Sequence, residues 1–113
     1  MLKEILENNN LSKQFLLTSK LIYQDLIDEI YKQVRDEFSK KEIVSILNKG
    51  EDEKLGIDVN EIFSNLVDKY AQKLIKKGNF DEQDIVDASR DAKKEVKDPI
   101  QKEILTELID KIL

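Results

Sequence analysis

The stretch DVNEIFSNLVDKYAQKLIKKG, Asp58 to Gly78, decides the fold class. Its apolar residues are Val59, Ile62, Phe63, Leu66, Val67, Tyr70, Ala71, Leu74 and Ile75, a run of i, i+3, i+4, i+7 positions without a gap. On an α-helix these positions stack along one side, whereas a strand would scatter them over both faces. The ends carry their own signals. Asp58-Val59-Asn60-Glu61 fits a capping box, with Ile57 and Ile62 placed to close a hydrophobic staple. Lys76 and Lys77 complement the C-terminal end of the helix dipole, and Gly78 predicts a left-handed stop.

Toward the N-terminus lies KGEDEKLGIDVNEIF, Lys49 to Phe63, where acidic residues crowd around a glycine. An EF-hand loop needs oxygen ligands at positions 1, 3 and 5, glycine at 6, an apolar residue at 8 and glutamate at 12. With Ile57 at position 8, Glu61 falls at 12 and Asp52 at 3, but Gly50, Lys54 and Leu55 occupy 1, 5 and 6. With Gly56 at position 6, Leu55 falls at 5 and Ile62 at 12. Both registers lose essential ligands. The stretch therefore reads as a connector: Gly50 stops one helix, Glu51 to Lys54 cross solvent, and Ile57 with Asp58 starts the next.

Before it, Ser39-Lys40-Lys41-Glu42 is a second capping box, with Phe38 and Ile43 as its staple. A short helix carries Ile43, Val44, Ile46 and Leu47. From Ser12 to Phe38, Phe15, Ile22, Leu26, Ile30, Val34 and Phe38 recur at helical spacing, with Leu16, Tyr23, Ile27 and Tyr31 beside them. This predicts one helix about 40 Å long. Residues 2–7 are expected to form a short frayed helix.

Toward the C-terminus, Asp81 caps a helix stapled by Phe80 and Ile85. Its apolar stripe is thin: Ile85, Ala88, Ala92 and Val96, joined by Val86. Asp98-Pro99 restarts the chain, because proline suits the first position of a helix. The last helix has Ile100, Ile104, Leu108 and Ile112 in register, flanked by Leu105, Ile109 and Leu113. The expected fold is all-α: a single domain over residues 1–113, an antiparallel helical bundle of four to five helices.

Composition narrows the function. Three glycines and one proline leave few turns, and 40% apolar residues in a patterned chain of 113 support one core. No Cys or His is present, which removes disulfides, thiol nucleophiles, structural zinc and Ser-His-Asp catalysis. A net charge of -5, with arginine only at Arg35 and Arg90, argues against direct nucleic-acid binding. Neither a secretory signal nor a membrane span is read in MLKEILENNN or elsewhere, so a cytoplasmic protein is expected. No cofactor, metal or catalytic residue is expected.

Three surface patterns are candidates for binding. Asp84, Asp87 and Asp91 share a helix face within an acidic run that begins at Asp81-Glu82 and reads as solvated. Lys69, Lys73, Lys76 and Lys77 cluster toward the end of the helix from Asp58, and Lys93, Lys94 and Lys97 close the next. Tyr23, Tyr31 and Tyr70 fall on or beside apolar faces, the position of core-edge packing or of the rim of a partner groove. The partner-binding residues expected on this reading are Tyr23, Tyr31, Tyr70, Lys73, Lys76 and Lys77.

One family resemblance is carried by KKEIVSILNKGEDEKLGIDVNEIFSNLVDKYAQKLIKKGNFDEQDIV, Lys40 to Val86. It resembles the middle of the bacteriocin immunity proteins of the enterocin A type. There a short helix with an Ile-Leu ending precedes a longer one, then a lysine-rich end and a turn into the last helix. Ile46-Leu47 and Ile62-Phe63-Ser64-Asn65-Leu66-Val67 stand in the corresponding places. The resemblance implies a cytosolic antiparallel four-helix bundle, non-enzymatic, which protects a producer cell by recognising a toxin–receptor complex. Two other readings stand beside it. One is an antitoxin or phage-encoded inhibitor that occupies a basic nucleic-acid-binding site on a protein. The other is a structural subunit that forms a homodimer through the stripes of residues 15–38 or 100–113.

Overall fold

The structure, a computed structural model, describes residues 11–78 and 80–113. The helix expected over residues 2–7 lies outside them. The described chain is all-α: α1 (Leu11–Val34), α2 (Lys40–Asn48), a 3-10 turn (Asp52–Leu55), α3 (Val59–Lys77), α4 (Glu82–Glu95) and α5 (Pro99–Ile112).

Helix starts follow the caps. Ser39 Oγ accepts from the Glu42 amide at 3.2 Å, while Glu42 accepts from the Ser39 amide at 3.0 Å, so the capping box at α2 closes both ways. That bond to the Ser39 amide holds the exposed Glu42 carboxyl below its usual range. The Asp58 and Asp81 carboxylates accept from the amides of Glu61 and Asp84. Asp98 accepts from Ile100 and Gln101, with Pro99 leading α5.

Helix stops correct three expectations. First, α1 ends at Val34, short of Phe38: the Val34 carbonyl accepts from both the Glu37 amide (i−3) and the Phe38 amide (i−4) at 2.9 Å, which closes a last turn over residues 35–37. Arg35, Asp36 and Glu37 are exposed and give no packing to prolong the helix, while Ser39 must be extended (φ -78°, ψ 165°) to cap α2. Second, the connector after Gly50 is wound rather than open. Gly50, at φ 68°, donates to Leu47, and Glu51 donates to Ile46, the paired bonds of a Schellman stop. The 3-10 turn then delivers Leu55 into the core and ends at Gly56, whose φ is 69°. Third, Gly78 is extended (φ -159°, ψ 159°), not left-handed. A Cβ there would lie 2.6 Å from a carbon of the Phe80 ring, so an alanine would have to move that ring.

Two clusters form the core. The larger joins α1, α3, α4 and α5 around Phe15, Ile22, Ile104, Leu105 and Leu108, with Val67 and Ala92 on its flanks. The smaller joins the C-terminal half of α1 to α2, the 3-10 turn and the start of α3 through Ile30, Ile43, Leu55 and Val59. Helices α1 and α5 pack together; α3 and α4 both lie against that pair. Ser19 of α1 is fully buried; its hydroxyl donates to the Leu16 carbonyl at 2.8 Å and accepts from Gln101 of α5 at 3.2 Å. Helices α3 and α5 run parallel: Asp68 pairs with Lys111 at 3.1 Å, and over the preceding turns Asn60 and Ser64 line one cleft with Glu103 and Glu107. This pairing sets the two walls of a cleft.

Candidate functional site

The expected partner-binding set divides into two surfaces. On the first, Tyr70 of α3 donates its hydroxyl to the Asp25 carboxylate of α1 at 2.5 Å. The ammonium groups of Lys73 and Lys69 stand 5.0 Å and 5.8 Å from the centroid of its ring. The bond to Asp25, then burial, then the negative charge of Asp25 push the Tyr70 hydroxyl up to about 12. Lys69, Lys73, Lys76 and Lys77 are exposed at i, i+4, i+7 and i+8, and so continue one stripe along α3.

Tyr23 and Tyr31 lie elsewhere. Asp25 is two residues from Tyr23, about 200° around α1, so the Tyr70 contact is on the opposite flank. Lys40 stands 5.3 Å from the Tyr31 ring centroid and pairs with Asp28 at 3.0 Å. A shallow hollow beside them is lined by Tyr23, Gln24, Ile27, Asp28 and Lys40. Burial, and next the charge of Asp98, raise the Tyr23 hydroxyl above its ordinary value. The structure brings Tyr70 to Lys73 and does not bring Tyr23 or Tyr31 to either.

Sequence reasoning missed a third surface. A cleft of about 270 Å³ opens between α3 and α5 and is closed at one end by the 3-10 turn. Leu47 and Phe63 are half-buried along it, above the buried Leu26, Val59 and Ile100. Asp52, Glu103 and Glu107 stand on its rim opposite Asn60 and Ser64. None of these three carboxylates has an ion-pair partner among the described residues; the acids that do are Asp28, Glu29, Glu51 and Asp68. Glu103 and Glu107 were visible as an i, i+4 pair in the sequence. Asp52 was not, because only the two left-handed glycines and the turn between them aim it at α5.

The remaining acids behave as a solvated face. Asp81, Glu82, Asp84, Asp87 and Asp91 are all exposed. In the acidic connector between α2 and α3, Glu51 is engaged by Lys54. Among the described residues, no group of three or more acids is arranged to hold a metal ion, and no helix is long and apolar enough to cross a membrane.

The long stripes offered for self-association are largely used inside the bundle. Phe15, Ile22, Ile30, Ile104, Leu105 and Leu108 are completely buried, and the large apolar residues left exposed on α1 are Leu17 and Leu21. Comparisons with protein-family models, curated proteins and solved structures find no match for the chain.

Proposed function

We propose that this chain is a non-catalytic, cytoplasmic helical protein that works by binding another protein, and that toxin self-immunity of the bacteriocin type is its most specific form. The observation that carries the reading is the cleft between α3 and α5: an apolar floor under three carboxylates without described cation partners. Such a surface supplies shape, apolar contact and charge, which are the components of recognition. The resemblance over residues 40–86 supplies the immunity reading, and these residues build the turn, Leu47 and the α3 side of the cleft.

Expression of the chain in cells sensitive to a panel of bacteriocins tests this. Survival against at least one toxin is the expected result, and equal killing of expressing and control cells across the panel counts against immunity. The acidic rim also favours the inhibitor reading, in which the partner is a basic protein. That reading requires affinity that falls steeply with salt; affinity indifferent to salt removes it.

A further inference from the structure

We infer that the cleft between α3 and α5 is a groove for a cationic amphipathic helix of the partner protein. The inference rests on the protein-binding reading and names the chemistry of what is bound. The cleft, at about 270 Å³, is below the range of ordinary small-molecule sites and is sized for one or two side chains. Its floor is apolar, so the entering group is an aliphatic or aromatic anchor that packs between Leu47 and Phe63. Its walls are two parallel helices, whose ridges offer a third helix a lengthwise seat.

The charges specify the rest. Glu103 and Glu107 are one helical turn apart, about 6 Å along α5. They match Lys or Arg residues at i, i+4 on a helix laid along the groove. Asp52 extends the negative rim toward the 3-10 turn. The polar groups across the groove, Asn60 and Ser64, carry no charge and so place no repulsion against those cations. Lys111, one turn beyond Glu107 on α5, is already paired with Asp68 at 3.1 Å. The same three carboxylates disfavour an anionic helix, a nucleic acid or an acidic lipid surface in this groove.

A capped peptide made of two LKKLLKL repeats, which places leucines on one face and lysines beside them, is the probe. Titrated into the isotope-labelled full chain, it shifts the amides of Asn60, Phe63, Ser64, Glu103 and Glu107. The E103Q/E107Q variant weakens binding about tenfold, since each partly exposed pair contributes modestly, and E103K/E107K removes it. Both positions are exposed, so the melting temperature stays near that of the parent. Shifts centred on Asp84, Asp87 and Asp91, unchanged affinity in E103Q/E107Q, or no binding overturn the inference. Peptide binding in the groove without protection from any toxin upholds it and removes immunity. Protection by a chain that does not bind the peptide there removes the inference and leaves immunity.

Discussion

Tyr70 illustrates how a residue can be placed by its pattern while its hydrogen-bond partner stays out of sight. Its position beside an apolar stripe was legible, and its spacing from Lys73 put the two on one face. Its partner was not legible, because Asp25 is 45 residues away and reads as an ordinary exposed acid of α1. The hydrogen bond favours the neutral phenol, so Tyr70 holds its proton to about pH 12 in the folded state. The unfolded chain ionises near 10. Between those values the folded state binds the additional proton, so the contribution of this bond is complete below about pH 10 and is lost as pH rises toward 12. An absorbance titration of the tyrosines is expected to show one phenol titrating last. D25N should move it back toward the ordinary range, and Y70F should eliminate it at a stability cost of about 1 kcal/mol.

The glycines make the same point at the same scale. Gly50 and Gly78 both looked like helix stops, but only Gly50 uses a left-handed backbone. G50A should lose about 1 kcal/mol through backbone strain alone, since nothing lies within 4 Å of its added Cβ. G78A should instead displace the Phe80 ring. In G78A/F80A the glycine-to-alanine change should therefore cost less than in the parent, a coupling that a double-mutant cycle in urea measures.

At the scale of elements, the starts were more legible than the stops. A cap is written in four consecutive residues, and Ser39, Asp58, Asp81 and Asp98 all accept the amide bonds that their local sequence implies. A stop depends on what the following segment must do, which is why α1 ends before Phe38 and why the 3-10 turn went unread. Helix α4 shows the consequence of a thin stripe. It anchors through Ile85, Ala88, Ser89 and Ala92, and Ala92 is completely buried. Small side chains let α4 approach closely and leave no room for larger ones. A92L should destabilise the protein by about 1–3 kcal/mol through overpacking, whereas R90L, on the exposed face, should stay within about 0.5 kcal/mol. Equal effects in chemical denaturation would mean that α4 is not seated as described.

At the scale of the whole molecule, the all-α class follows from periodicity, but the arrangement of helices does not. An amphipathic stripe states which face is buried and leaves the partner open. The parallel pairing of α3 and α5, and therefore the cleft, rests on the larger cluster, to which both helices contribute, and on the Asp68–Lys111 pair. The two clusters share Tyr23, Leu47, Phe63 and Leu66 on their margins, which joins them into one core along the bundle. I43A in the smaller cluster and I104A in the larger should each cost about 2–5 kcal/mol. Both should lower one common unfolding transition, followed alike by far-UV dichroism and tyrosine fluorescence. Separate transitions would show that the clusters fold independently.

We propose that binding of a basic protein partner runs through Asp52, Glu103 and Glu107. The most direct measurement compares survival of toxin-challenged cells that express the parent chain, E103K/E107K, or K73E/K76E/K77E at equal soluble levels. Protection by the parent is expected, with loss of it on reversal of the two glutamates and retention when the lysine stripe is reversed. Full protection by E103K/E107K, with loss in the lysine variant, would contradict it.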